Sequence, residues 1–250
     1  MTSSQQASAL SAQDPASRHL IAVHGNFASA AWWDDLRASP PHGWTVHTPD
    51  LPGFAGTPHS GEVSIARYAD WLTAYVADRS LGRPVLLGHS LGGAVVLEAA
   101  SRSPQDYAAL ILAASAPLNG LVTPEENYPV LELMATDGRL LELSLGALFP
   151  SGRPSNFDRL VDHAARMAPA LYSGNARALA TWRVDAATLR GLPVLVQGGQ
   201  LDPLITPEMV RATGEALGVA VKVHSGVGHG FPQEAPTAFL VEVQTFLDRL

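Results

Sequence analysis

Residues 84–101 read PVLLGHSLGGAVVLEAAS, and no other stretch constrains the fold as tightly. The run Val85-Leu86-Leu87 is apolar on both faces, as a strand buried within a sheet must be. The segment that follows is rich in Ala, Val and Leu at helical spacing. Between them, Gly88-His89-Ser90-Leu91-Gly92 makes a G-x-S-x-G turn. A turn this tight forces Ser90 into strained backbone geometry and leaves no room for side chains at the flanking glycines. Ser90 is expected to stand at the strand's C-terminal end. The helix behind it offers free N–H groups and partial positive charge, which suit a developing oxyanion.

The same strand–helix alternation runs through most of the chain. Short apolar runs at residues 19–23, 45–48, 107–114, 193–197 and 220–224 read as five further strands. Helical patterns fall near residues 31–36, 64–79, 207–217 and 236–250. Such spacing requires crossover connections, and so predicts an α/β fold: a mostly parallel, twisted sheet of about six strands covered by helices on both faces. Residues 117–189 break the alternation. They carry no strand pattern but four helical stretches, near 129–135, 139–149, 157–168 and 176–185, punctuated by prolines. The expected organisation is a Ser/Ala/Gln-rich disordered arm over 1–17, a core over 18–116 and 190–250, and a helical cap over 117–189. An insertion there would rise over the strands' C-terminal edge, where open parallel sheets bind ligands.

Composition removes several classes of function. The 250 residues include no Cys, which excludes disulfides, thiolate nucleophiles and Cys-based zinc sites. Lys222 is the sole Lys among 16 basic residues, which disfavours Schiff-base chemistry. A net charge of −7 argues against nucleic acid or an anionic membrane as partner. No apolar run is long enough to span a bilayer, and no basic-then-apolar leader opens the chain, so the expectation is a cytoplasmic protein. The histidines lack H-E-x-x-H or H-x-H spacing, and no G-x-G-x-x-G or phosphate loop follows a strand, so no metal or other cofactor is expected.

A serine hydroxyl needs an adjacent base, and the base an orienting carboxylate, before it can attack a carbonyl. Asp202 follows the fifth expected strand, in Gly198-Gly199-Gln200-Leu201-Asp202-Pro203. His229 follows the sixth, in Gly226-Val227-Gly228-His229-Gly230. Both loops leave the same sheet edge as Ser90, in the chain order Ser, Asp, His. Glu98, two turns along the helix from Ser90, and Asp137, in the helical block, rank below Asp202 as the acid. Leu91 N–H is one expected oxyanion donor. The second is expected from the loop His24-Gly25-Asn26-Phe27, at Asn26 N–H, with Phe27 beside it. Phe27, His89 and Trp33 are candidate pocket residues, and His24 is read as locking its loop. Leu133, Met134, Leu140, Leu141, Leu145 and Phe149 make the expected roof apolar.

With these residues in hand, the chain resembles the α/β-hydrolase fold enzymes, in particular the small, capped serine esterases and lactonases. The resemblance spans residues 18–250. It rests on His24-Gly25, on Pro49-Asp50-Leu51-Pro52-Gly53-Phe54-Ala55-Gly56-Thr57-Pro58, on Gly88-His89-Ser90-Leu91-Gly92, on the loop at Asp202, and on His229 with Glu234 five residues later. It implies cofactor-free cleavage of a carboxylic ester, lactone or thioester of a small to medium apolar molecule by Ser90, His229 and Asp202. The family also includes carbon–carbon bond hydrolases, hydroxynitrile lyases and slowly turning receptors, and these stay open. Dehalogenases and epoxide hydrolases resemble the chain less, because they place Asp where Ser90 stands. Relatives usually carry two strands before the His-Gly loop, and here only the arm precedes it. The expected sheet is therefore shortened at one edge, which the arm or a second subunit would cover; a monomer or a homodimer fits.

Overall fold

The computed structural model describes residues 18–250. The arm read over residues 1–17 lies outside the described residues. Six strands form one sheet: β1 (Arg18–Val23), β2 (Trp44–His47), β3 (Val85–His89), β4 (Ala109–Ala113), β5 (Val194–Gly199) and β6 (Val221–His224). Every neighbouring pair is parallel, in the order β2-β1-β3-β4-β5-β6. The chain thus steps outward from β1 to β2, then crosses back over β1 to β3 and proceeds to β6. The strand order reverses at β1/β3, and a crevice opens beyond the carboxyl ends of strands at such a reversal. The loops that leave β1 and β3 are those containing Asn26 and Ser90.

Burial follows from position in the sheet. β3 and β4 are buried at every residue, whereas the edge strands β2 and β6 are partly exposed. This is why the central strands read as continuous apolar runs. Among the helices that cover the sheet, α1 (Asp34–Ala38) is short, and α2 (Ile65–Asp78) is capped by Ser64 Oγ, which accepts from Arg67 N–H at 3.3 Å. α2 buries the stripe Ile65, Tyr68, Ala69 and Leu72. α3 (Leu91–Arg102) is buried along most of its length.

Between β4 and β5 the described chain forms α4 (Tyr128–Leu133), α5 (Gly138–Gly146), α6 (Phe157–Ala165) and α7 (Leu171–Thr181) and no strand. α7 begins five residues before the expected start at 176. The added turn packs closely on the segment before α2: a Cβ on Gly174 would lie 3.2 Å from the Val63 methyls. The insertion is joined to the core by one continuous apolar cluster that includes Met134, Leu141, Leu145, Phe149, Phe157 and Leu160. Of the expected roof residues, Leu133 points outward at 51% exposure. The insertion is also clipped to the segment after β1. Asn156 donates to Ala31 O at 3.0 Å and to Asp34 at 2.7 Å, and Arg159 pairs with Asp34. Ser29 Oγ and His163 Nδ1 are hydrogen bonded at 2.8 Å. The chain closes with α8 (Pro207–Leu217), the short α9 (Phe231–Glu234) and α10 (Pro236–Leu247). No helix among the described residues is long and apolar enough to cross a membrane.

Leu110 is fully buried in β4, registered against Leu86 on one side and Val194 on the other. Leu110→Ala should therefore cost about 2–5 kcal/mol in urea unfolding; a loss below about 1 kcal/mol would contradict this placement.

Candidate active site

Ser90 directly follows β3 and directly precedes α3, at φ 53 and ψ −116. A left-handed φ costs a non-glycine residue roughly 1–3 kcal/mol and persists only where neighbours enforce it. The enforcement is visible. Ser90 N–H donates to Ala113 O at 3.2 Å, while Ser90 O accepts from Gly93 N–H at 2.9 Å and Ala116 N–H at 3.1 Å. The flanking glycines are sterically required. A Cβ on Gly88 would sit 2.4 Å from Gly92 O, and one on Gly92 would sit 2.4 Å from Val23 O.

The expected base, His229, and its expected orienting acid, Asp202, come from the loops after β6 and β5. Asp202 Oδ2 accepts from His229 Nδ1–H at 2.7 Å, with both side chains almost fully buried. Asp202 Oδ1 accepts from the Leu204 and Ile205 N–H groups at 2.8 and 2.9 Å. This bond fixes the orientation of the imidazole through Nδ1 and leaves Nε2 without a protein partner among the described residues. The His229 loop is tied on three sides. Gly228 N–H donates to Glu234 Oε1 at 2.7 Å, Gly230 N–H to Leu148 O at 2.9 Å, and His89 Nε2–H to His229 O at 2.9 Å. No hydrogen bond joins Ser90 and His229 directly, a looseness common in ligand-free sites.

The two expected oxyanion donors lie on facing elements. Leu91 opens α3, so its N–H has no acceptor within the helix. Asn26 N–H donates to no protein group among the described residues. Gly25 brings the Asn26 loop against the turn, since a Cβ there would meet His89 Nδ1 at 2.8 Å and Ser90 Cβ at 3.0 Å. His24 holds that loop from behind: its Nδ1–H donates to Gly25 O at 2.9 Å and its Nε2 accepts from Leu51 N–H at 3.1 Å. The competing acids are engaged elsewhere. Glu98 accepts from Trp182 Nε1–H at 2.8 Å and pairs with Arg102, and Asp137 caps α5 through Leu140 N–H at 3.0 Å.

Ser90, His229, Asn26, Phe27 and His89 all line one cavity of about 610 Å³ between the sheet edge and the insertion, a volume typical of small-molecule sites. Met134, Leu141 and Leu145 close it from above, and Pro203, Leu204 and Met209 flank it. No Asp, Glu, Lys or Arg is among its lining residues. Trp33, expected in the pocket, does not line it. Trp33 is 1% exposed and stacks on Phe239 at 6.1 Å, whereas Trp32 forms the wall and lies 4.5 Å from the His89 ring. The cause is local. Residues Ala30–Trp33 form a single tight helical turn capped by Ser29, and adjacent side chains on it diverge. Two further residues join this site without any motif to mark them, Tyr68 reading in sequence only as part of the α2 stripe. Tyr68, on α2, donates to Asn175 Oδ1 at 2.9 Å, and Asn175, on α7, donates to Asn26 Oδ1 at 2.8 Å.

Residues 20–243 match a family model described as Alpha/beta hydrolase family. An uncharacterized protein of Mycobacterium tuberculosis is 25% identical over 256 residues, covering 92% of this chain and 75% of that protein. A pimeloyl-(acyl-carrier protein) methyl ester esterase of Aromatoleum aromaticum is 36% identical over 108 residues, 43% of this chain and 40% of its own length. Among solved structures, a thermophilic esterase from Thermogutta terrifontis superposes with a TM-score of 0.80 at 23% identity, covering 93% of this chain and 90% of that one. At that identity the superposition establishes likeness of fold.

Burial drives the His24 imidazole down to about 4, against weaker opposing effects of the Gly25 carbonyl and the Asp50 charge. Burial, reinforced by His229, also takes His89 well below its ordinary value. Unfolded imidazoles bind protons below about pH 6.5 that these folded ones refuse, so their stabilisation is complete above that pH and is lost as pH falls toward 4. Urea unfolding from pH 7 to 4.5 should lose roughly 1–3 kcal/mol through His24, and His24→Gln should show a shallower decline. Identical pH dependence in the two proteins would contradict a buried neutral His24.

Proposed function

The chain belongs to the Alpha/beta hydrolase family, and we propose that within it the protein is a serine hydrolase that cleaves a carboxylic ester, lactone or thioester of small to medium size and apolar character. The observation that carries the proposal is the strained Ser90 turn opening onto the same cavity as an Asp202-oriented His229. His229 Nε2 takes the Ser90 proton as Oγ attacks the carbonyl carbon. The tetrahedral oxyanion is met by the Leu91 and Asn26 N–H groups. Collapse breaks the bond to the alcohol or thiol, which leaves with the proton from His229. Water, deprotonated by the same nitrogen, then releases the acid and restores Ser90. Asp202 holds the imidazole in its useful tautomer and stabilises its charged form.

The insertion over 117–189 acts as the cap that shapes substrate choice. A wall without formal charge favours a neutral substrate, because an ion moved into it would lose hydration without gaining a partner. One relative, matched over 40% of its own length, is named as a methyl ester esterase, which supports ester chemistry over the lyase alternative.

A panel of p-nitrophenyl esters and lactones of graded acyl length tests the reading. The wild type should turn over apolar members, and Ser90→Ala and His229→Gln should each lose at least about a thousandfold in kcat. Asp202→Asn should fall by about a thousandfold or more through the wrong tautomer. Wild-type rates in Ser90→Ala would refute the proposal.

A further inference from the structure

The Asn26 side chain ends a hydrogen-bond chain that crosses from the core to the roof, and the chain has a direction. Tyr68 is 4% exposed, and its O–H has no acceptor other than Asn175 Oδ1 among the described residues. An Asn175 amide turned the other way would face that O–H with N–H groups and leave the hydroxyl proton unsatisfied, which is costly in a buried place. Asn175 is itself 0% exposed, so water cannot take over. With Oδ1 committed to Tyr68, Asn175 Nδ2 donates to Asn26, and Asn26 must present Oδ1 to receive it. The Asn26 amide then retains its own Nδ2 hydrogens. They have no protein acceptor among the described residues, and the residue carrying them lines the cavity.

We propose that Asn26 Nδ2 is a substrate-recognition donor selecting substrates with a second neutral oxygen acceptor close to the scissile carbonyl, and that Asn175 and Tyr68 are positioning residues that fix the polarity of this donor. The proposal rests on the hydrolase reading above and goes beyond it. Asn26 N–H meets the oxyanion of any ester, but its side chain meets a group that only some esters possess. The preferred acceptor is an ether or carbonyl oxygen rather than a carboxylate, because no cation lines the cavity to offset a buried negative charge. A site built to hydrogen bond discriminates against the analogue that leaves its donor unpaired. The other neutral polar side chains on the wall, Thr123, Asn127 and Ser144, belong to the insertion, whereas Asn26 stands in the loop against Ser90.

Two isosteric substrate pairs test this, one for each side of the scissile bond: p-nitrophenyl 3-methoxypropanoate against p-nitrophenyl pentanoate, and 2-methoxyethyl butanoate against butyl butanoate. The readout is the ratio of kcat/KM within each pair, normalised to the alkaline hydrolysis rates. The wild type should favour the oxygen-bearing member of at least one pair by roughly tenfold. Asn26→Ala and Asn175→Leu should each bring that ratio close to one, and Tyr68→Phe should lower it in part. A merely structural role would depress both members equally and leave the ratio intact. Asn26→Ala, at a partly exposed loop position, remains readable should Asn175→Leu fail to fold. Ratios near one in the wild type for both pairs, or ratios unchanged in Asn26→Ala, overturn the proposal while Ser90-dependent turnover upholds the hydrolase reading. Absence of Ser90-dependent turnover for every ester overturns both.

Discussion

A serine at φ 53 has to be held there, and the holding groups lie mostly outside its own turn. Ser90 N–H reaches Ala113 at the end of β4, and Ser90 O receives N–H groups from Gly93 in α3 and from Ala116 beyond β4. These bonds exist because β3 and β4 are parallel neighbours in a register that sets His89 beside Ala113. The register in turn follows from two strands buried on both faces, where a slip by one residue would disturb every contact. The local strain is thus sustained by the most buried part of the sheet. It lifts one hydroxyl clear of the surface and leaves the first N–H of α3 beside it.

The helical segment between β4 and β5 does more than border the cavity. Gly230 is bonded to Leu148, and Glu234 joins Gly228 to the Ser151 N–H and hydroxyl at 2.9 and 2.6 Å, so the His229 loop is anchored to the roof as well as to the sheet. On the opposite wall, Asn175 reaches Asn26, and Asn156, Arg159 and His163 hold the segment that presents Trp32. The His229 loop and the segment after β1 therefore each have partners in the helical segment, whereas the Asp202 loop is held by His229 and by its own backbone. Shape above the cavity and geometry within it are coupled through those bonds.

Much of this was legible in the sequence, for identifiable reasons. Strands buried on both faces leave unbroken apolar runs, and tight turns demand glycine, so the six strands, the Ser90 turn and the helical insertion all show in residue types alone. The Asp202 and His229 loops could be located because parallel strands deliver their C-terminal loops to one edge. What stayed hidden depends on three-dimensional phase. Trp32 and Trp33 are equivalent in sequence, and only the pitch of a four-residue turn decides which meets the cavity. Asn175 lies in a helix otherwise read from its apolar spacing, and its partners stand 107 and 149 residues away.

In the function proposed above, Ser90 is a nucleophile activated by its surroundings. The most direct test is incubation of the full chain with a fluorophosphonate, followed by peptide mass spectrometry. One adduct is expected, on the peptide bearing Ser90, with labelling slowed severely in His229→Gln. An unlabelled Ser90, or labelling at the same rate without His229, would contradict it.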